Sequence, residues 1–273
     1  VAQGRVILFH RVANQEVVEA LDPRTGATEW RYAYPTSYRD DFGFDEGPRA
    51  VPVIASGVVY TFGAEGQLHA IDLAKGTKLW SEDTMRRFRV PKGFFGAAGS
   101  PLVEDGRVLA NIGGAEAGIV AFEAKTGKVL WTATTHGASY SSAAGATIAG
   151  RRLAVFFTRA GLVGLDPATG RVQFERPWRA RMAASVNVAT AVVVGDLVFV
   201  SAEYGPGAAV FRDGTIVRVP PFSEEEIFEF PEPFGPQPVL QHMHEEPLTF
   251  GRFLGKGLRY VDRPALARNP YFD

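Results

Sequence analysis

The chain has 273 residues, a formal net charge of −1, 30 glycines, 18 prolines and no cysteine. So even a charge balance offers no global field for nucleic acid or an anionic membrane surface, and the missing thiols exclude disulfides, thiolate catalysis and zinc–thiolate sites. The length suffices for one or two domains with a sizeable core, and no apolar run reaches the length of a transmembrane helix.

In chain order, the sequence enters a strand almost at once, at residues 6–9, with no signal-peptide pattern before it. Strands near residues 5–10, 16–21 and 27–32 form a first unit that lacks an inner strand before Val6. A second unit runs over 49–82, with strands at 50–54 and 58–62 ahead of a turn that leads to Trp80. A third covers 99–134 with strands at 101–103, 107–110 and 118–121, and a fourth covers 141–174 around a central strand at 153–157. A fifth begins at 185–188 and continues through 192–194 and 197–200. Its last hairpin turns at Asp213-Gly214, and no tryptophan follows.

Four of these units share one frame. Ala20-Leu21-Asp22-Pro23-Arg24-Thr25-Gly26-Ala27-Thr28-Glu29-Trp30 returns from Ala70 to Trp80, from Ala121 to Trp131 and, in worn form, from Gly164 to Phe174. The closing aromatics are spaced by 50, 51 and 43 residues, a period that points to a propeller of short strands. Asp and Thr bond the backbone of a tight turn with their side chains, and Gly supplies the positive φ it needs. The closing aromatics are expected to be buried across blade boundaries, and Gly26, Gly76, Gly127 and Gly170 to take positive φ.

This frame resembles the pyrroloquinoline-quinone (PQQ)-like β-propeller repeat, A-x-D-x-x-T-G-x-x-x-W, over roughly residues 1–218. That repeat occurs in quinone-dependent dehydrogenases and in an outer-membrane assembly lipoprotein. The resemblance implies an all-β PQQ-like propeller of four to five blades, a partial ring, and a periplasmic or extracellular location. Departures are Lys75 for Thr, Glu123 for Asp, Gly164 for Ala and Phe174 for Trp. The family's dehydrogenases rest on a complete ring, a Ca²⁺ site, a catalytic Asp and, in several members, a Cys-Cys pair. The pair is absent here and no position matches the Asp motif, so PQQ and Ca²⁺ belong only to the alternative reading of a partial quinoprotein oxidoreductase.

The repeats are expected over 1–220, and 221–273 form an atypical, irregular tail. Residues 223–234 are acidic, aromatic and Pro-rich, and segments at 230–235, 244–249 and 255–259 faintly resemble part of the catalytic domain of saccharopine-dehydrogenase-like proteins. The nearest approach to a dinucleotide fingerprint, Gly205-Pro206-Gly207, opens no helix. Residues 226–230 are the one candidate to complete the first unit. Without closure, open blade edges favour self-association.

Chemistry is sought on the connections between blades, at 36–49, 84–97, 135–142 and 176–186, which should meet at one mouth of the central channel. Arg49, Ser100, Tyr140, Ser141 and Asn187 are the expected ligand-binding set, in one pocket or on its rim. Asp40, Asp41, Asp45 and Glu46 are hard oxygen donors without EF-hand spacing, so a salt-bridge cluster with Arg39 and Arg49 is expected. His10, His69 and His136 assemble no catalytic set, and His242-Met243-His244-Glu245-Glu246 has no distant third ligand. No catalytic or metal residue is assigned, and no cofactor. The expected role is a non-catalytic scaffold that binds a protein, glycan or small ligand on its loop face, without nucleic acid.

Overall fold

The computed structural model describes residues 2–43, 45–93, 95–179, 186–202, 206–212, 215–219, 226–229, 236–241 and 264–266. Blade one is an antiparallel sheet of β1 (Val6–Val12), β2 (Gln15–Leu21) and β3 (Thr28–Pro35). Blade two has four strands: β4 (Val53–Ala55), β5 (Val58–Phe62), β6 (Gln67–Asp72) and β7 (Lys78–Asp83). A short helix, α1 (Thr84–Phe88), leads to blade three, formed by β8 (Leu102–Glu104), β9 (Arg107–Gly114), β10 (Ala117–Glu123) and β11 (Val129–Ala133). Blade four is β12 (Ala144–Ile148), β13 (Arg151–Phe157), β14 (Gly161–Leu165) and β15 (Val172–Pro177). Blade five is β16 (Val192–Val194), β17 (Leu197–Ala202), β18 (Gly207–Arg212) and β19 (Thr215–Val219). In the tail, β20 (Glu226–Glu229), β21 (Pro236–Gln241) and β22 (Pro264–Leu266) form a three-stranded sheet, so β20 pairs with β21 and does not complete blade one.

The shared frame folds as its chemistry requires. The carboxylate of Asp22 accepts from the Arg24 and Thr25 amides at 2.8 and 2.9 Å, and Asp72 and Asp166 cap their own turns likewise. At Glu123 the longer side chain accepts instead from the Thr126 hydroxyl. Gly26, Gly76, Gly127 and Gly170 have φ of 72°, 67°, 72° and 74°. Each frame also carries a register shift at the same place, between Ala20/Leu21, Ala70/Ile71, Ala121/Phe122 and Gly164/Leu165. The bulge leaves Glu29, Leu79, Leu130 and Gln173 unpaired, while the closing aromatic after each stays opposite the first residue of its frame.

The aromatic of each blade lies on the turn glycine of the next. A Cβ on Gly76 would sit 2.6 Å from the Trp30 ring, one on Gly127 2.7 Å from Trp80, and one on Gly170 2.6 Å from Trp131. Trp30 Nε1 donates to Leu73 O at 2.9 Å and Trp80 Nε1 to Ala124 O at 2.8 Å, whereas Trp131 Nε1 has no acceptor among the described residues. In blade four the worn frame is internally consistent: Phe174 leans over its cross-strand partner Gly164, where a Cβ would be 2.2 Å from the ring, and stacks on Phe211 of blade five. Full burial holds for Trp80 alone among the four closing aromatics. Trp30, Trp131 and Phe174 are half-buried.

Four apolar seams follow from this docking, between successive blades from one to five. Among the described residues none joins blade five to blade one, and no heavy atom lies within 4 Å of where a Cβ on Gly26 would be. The arc is open. Blade one also shows how its inner edge is built: Ala2 and Arg5 pair around Gln3-Gly4 (φ 48° and 76°), matching Ser56-Gly57 (50° and 76°) between β4 and β5. Positive φ at both positions is the turn that suits the twist of a hairpin.

The first seam is apolar near Trp30 and polar toward the connections. There Glu16 is 1% exposed and takes the Ala64 amide at 2.8 Å. The His69 ring stacks on Tyr34 with centroids 4.0 Å apart and meets the Tyr32 hydroxyl at 3.0 Å. The Tyr34 hydroxyl, Thr61 hydroxyl and His69 Nε2 are buried without a hydrogen bond of good geometry among the described residues. Burial first, and Lys78 second, hold the His69 imidazole down to about 4 from 6.5. Its contribution to stability is therefore full above pH 6.5 and is lost as the pH falls toward 4, at no more than about 1.4 kcal/mol per pH unit. Burial raises the Glu16 carboxyl, so its contribution runs the other way, full at low pH and lost as the pH rises through its folded value. Urea unfolding across pH 4–7 should show an acid loss in the parent chain that is flatter in His69→Phe; identical slopes would contradict the assignment.

Candidate functional site

The second connection is shaped by α1. Asp83 caps it by accepting the Arg86 amide at 3.0 Å, and Arg89 ends it in the left-handed region (φ 52°) while Val90 N donates to Met85 O at 2.9 Å. Thr84 pins the helix to the β5–β6 turn through its hydroxyl, 2.7 Å from Gly66 O. The sequence reading missed this helix, although Asp83 before Thr84 is an N-cap signal. Further on, Gly96 passes so close to the same turn that a Cβ would be 2.3 Å from Ala64 O.

The third connection is fixed from three sides. Asn111 Oδ1 accepts Ser139 N at 3.0 Å, Ser139 Oγ donates to Phe157 O, and Tyr140 N donates to Asn187 O at 3.0 Å. The Tyr140 hydroxyl accepts Phe95 N at 2.8 Å and so ties the third connection to the second. Burial pushes its phenol pKa up, which keeps it a neutral hydroxyl.

Between these segments lies a cavity of about 280 Å³. Phe62, Met85, Val90 and Ile112 give it apolar walls, and the small residues Gly96, Ala97 and Ala98 leave it room. Asp41, Lys92, Asn111, Tyr140 and Arg159 bring polar groups to it. Connections one, two and three thus meet at one place, as expected. The fourth is described only to Arg179 and from Val186, where Trp178 is buried with its Nε1 3.2 Å from Gly207 O.

Of the five residues singled out from sequence, Tyr140 lines this cavity. Arg49 donates to Phe95 O at 2.9 Å, pairs with Asp40 at 3.8 Å and packs its guanidinium 5.4 Å from the Tyr38 ring centroid. Ser100 Oγ accepts Val51 N at 2.8 Å while Ser100 N donates to Ser142 Oγ at 3.0 Å, which stitches the inner segments of blades two, three and four. Ser141 is buried, with its amide 3.3 Å from Ser139 Oγ. Asn187 is 1% exposed and donates to Thr158 O and Trp178 O at 2.7 and 3.0 Å. These four hold the walls in place. Sequence periodicity marked their position at the strand entries, but not whether their polar atoms face a ligand or the neighbouring chain.

The first connection forms a salt-bridge cluster. Arg39 pairs with Glu46 at 3.2 Å, Arg11 with Glu46 at 3.5 Å, and Lys92 with Asp41. Glu65 anchors its start, accepting from the Thr36 hydroxyl at 2.8 Å and the Ser37 amide at 2.9 Å. Burial alone would raise its carboxyl, but the hydrogen bonds from Ser37 and Thr36 outweigh that and hold it low. His136 lies 3.0 Å from both Glu175 and Thr158, but the Thr158 hydroxyl is wholly buried and donates to Gly161 O, so it presents no nucleophile. The His242–Glu246 cluster and Gly205 lie outside the described residues.

A sequence model of the family described as outer membrane protein assembly factor BamB matches residues 14–220. Quinohemoprotein alcohol dehydrogenase ADH-IIG of Pseudomonas putida is 38% identical over 122 residues, 42% of this chain and 16% of its own length. Its crystal structure superposes with a TM-score of 0.57 at 18% identity, covering 97% of this chain and 46% of that one. The crystal structure of BamB from Moraxella catarrhalis gives 0.54 at 20% identity, with 80% and 58% covered. The chain therefore spans less than two thirds of each of these relatives.

Proposed function

Because this chain belongs to the family of PQQ-like repeat propellers described by the assembly factor BamB, we propose that it works as a binding module. Its loop-face cavity receives a side chain of a protein partner, in a periplasmic or extracellular setting. The observation that carries this reading is the cavity itself: three connections from a rigid scaffold are tied together around about 280 Å³ of half-apolar space, the form a preformed binding site takes. Ala98, on its wall, is partly exposed, and leucine there should fill the space. Panning a random peptide phage library on the chain should enrich sequences that lose binding to Ala98→Leu. Enriched peptides that bind both forms equally would remove the cavity from the account.

The dehydrogenase likeness of 38% over 122 residues favours a second reading, a piece of a quinone-dependent alcohol oxidoreductase. Among the described residues no three acidic or histidine side chains gather at one point, and the chain has no cysteine. Dye-linked alcohol oxidation after addition of PQQ and Ca²⁺ tests it; turnover would replace the binding reading with this one.

A further inference from the structure

We infer that the partner's docking segment is an extended acidic peptide with one aromatic or large aliphatic anchor. This rests on the binding reading above and adds the partner's chemistry. The second connection provides both halves of such a site. Met85, Val90 and Pro91 line the cavity, where an apolar anchor fits against Phe62 and Ile112. Residues 84–97 contain Arg86, Arg87, Arg89 and Lys92 and no acid. Arg87 is paired with Glu82 and Lys92 with Asp41. Arg86 and Arg89 are exposed, and neither guanidinium makes an ion pair or hydrogen bond among the described residues.

Of the acids of the first connection, Asp40, Asp41 and Glu46 are in ion pairs. Asp40 pairs with Arg49, Glu46 with Arg39 and Arg11, and Glu65 holds Thr36 and Ser37. Asp45 accepts the Gly47 amide at 2.9 Å. Exposed Glu116 on the β9–β10 turn offsets part of the excess. What remains is exposed Arg86 and Arg89, which flank the wall residues Met85 and Val90 in sequence; positive charge there steers and orients a segment of opposite charge while the anchor supplies most of the affinity.

Fluorescence anisotropy with labelled pentapeptides tests this on the full chain. The probe has four glutamates around a central phenylalanine; its controls replace phenylalanine by alanine, or the glutamates by lysines. The glutamate–phenylalanine peptide should bind. Affinity should fall about tenfold or more when its phenylalanine becomes alanine, and about tenfold in the double variant Arg86→Glu/Arg89→Glu, whose exposed sites leave the fold intact. Ala98→Leu should abolish binding. Equal binding of the lysine peptide, or no effect of the double variant, would overturn the acidic class and leave the cavity reading standing. Failure of both phenylalanine peptides to bind would overturn the two together.

Discussion

Replacing Trp80 by alanine is expected to cost the fold about 3–5 kcal/mol, the range for deleting a large buried aromatic. Its ring is 8% exposed, stands between Tyr60 and the turn of blade three, and lies where a Cβ on Gly127 would be 2.7 Å away. Alanine would open a cavity in the seam that joins blades two and three, whose core includes Phe62, Val120 and Phe122. Trp80→Phe should lose far less, about 1 kcal/mol for the indole hydrogen bond, because the Tyr60 hydroxyl still donates to Ala124 O at 3.1 Å. Trp30→Ala should fall below Trp80→Ala, since Trp30 is only half-buried. Equilibrium urea unfolding followed by circular dichroism gives all three values, and a loss at Trp80 no greater than at Trp30 would contradict the seam's role.

The propeller frame was legible because its turn chemistry is local. Asp22, Thr25 and Gly26 act on backbone within a few residues, so their pattern in the sequence survives as geometry. The strands followed from the same logic, and so did the meeting of the first three connections. What the sequence did not reveal depends on how one blade sits against the next. Glu16, Tyr34, Thr61 and His69 look like ordinary strand residues, yet the first seam buries them together. Ser100, Ser141 and Asn187 stand at strand entries, where they bond neighbouring segments. The cavity arises from small residues, Gly96, Ala97 and Ala98, whose lack of side chain carries no motif.

The departures Gly164 and Phe174 also acquire a reason only in three dimensions. The ring sits over the glycine, and an alanine there, as in the other frames, would meet it at 2.2 Å. The two changes therefore belong together. The open arc was partly legible, from the lack of a closing tryptophan after the hairpin at Asp213-Gly214 of blade five. Its clearest mark is structural, the uncovered turn at Gly26 beside three turns that each carry an aromatic ring.

That contrast allows the most direct test of the central claim, that each blade docks its aromatic on the next blade's turn and that none of the described blades covers the turn of blade one. Gly26 and Gly76 have nearly the same φ, 72° and 67°, so alanine meets the same backbone strain at both, about 1–2 kcal/mol. At Gly76 the new Cβ would also lie 2.6 Å from Trp30, whereas at Gly26 nothing lies within 4 Å among the described residues. Overpacking of that kind adds about 1–3 kcal/mol. Urea unfolding of Gly26→Ala and Gly76→Ala under identical conditions is the measurement. A loss at Gly76 that exceeds the loss at Gly26 by about 1–3 kcal/mol is the result expected of an open arc. Equal losses at the two glycines would mean that an aromatic covers Gly26 as well, and that the arc closes.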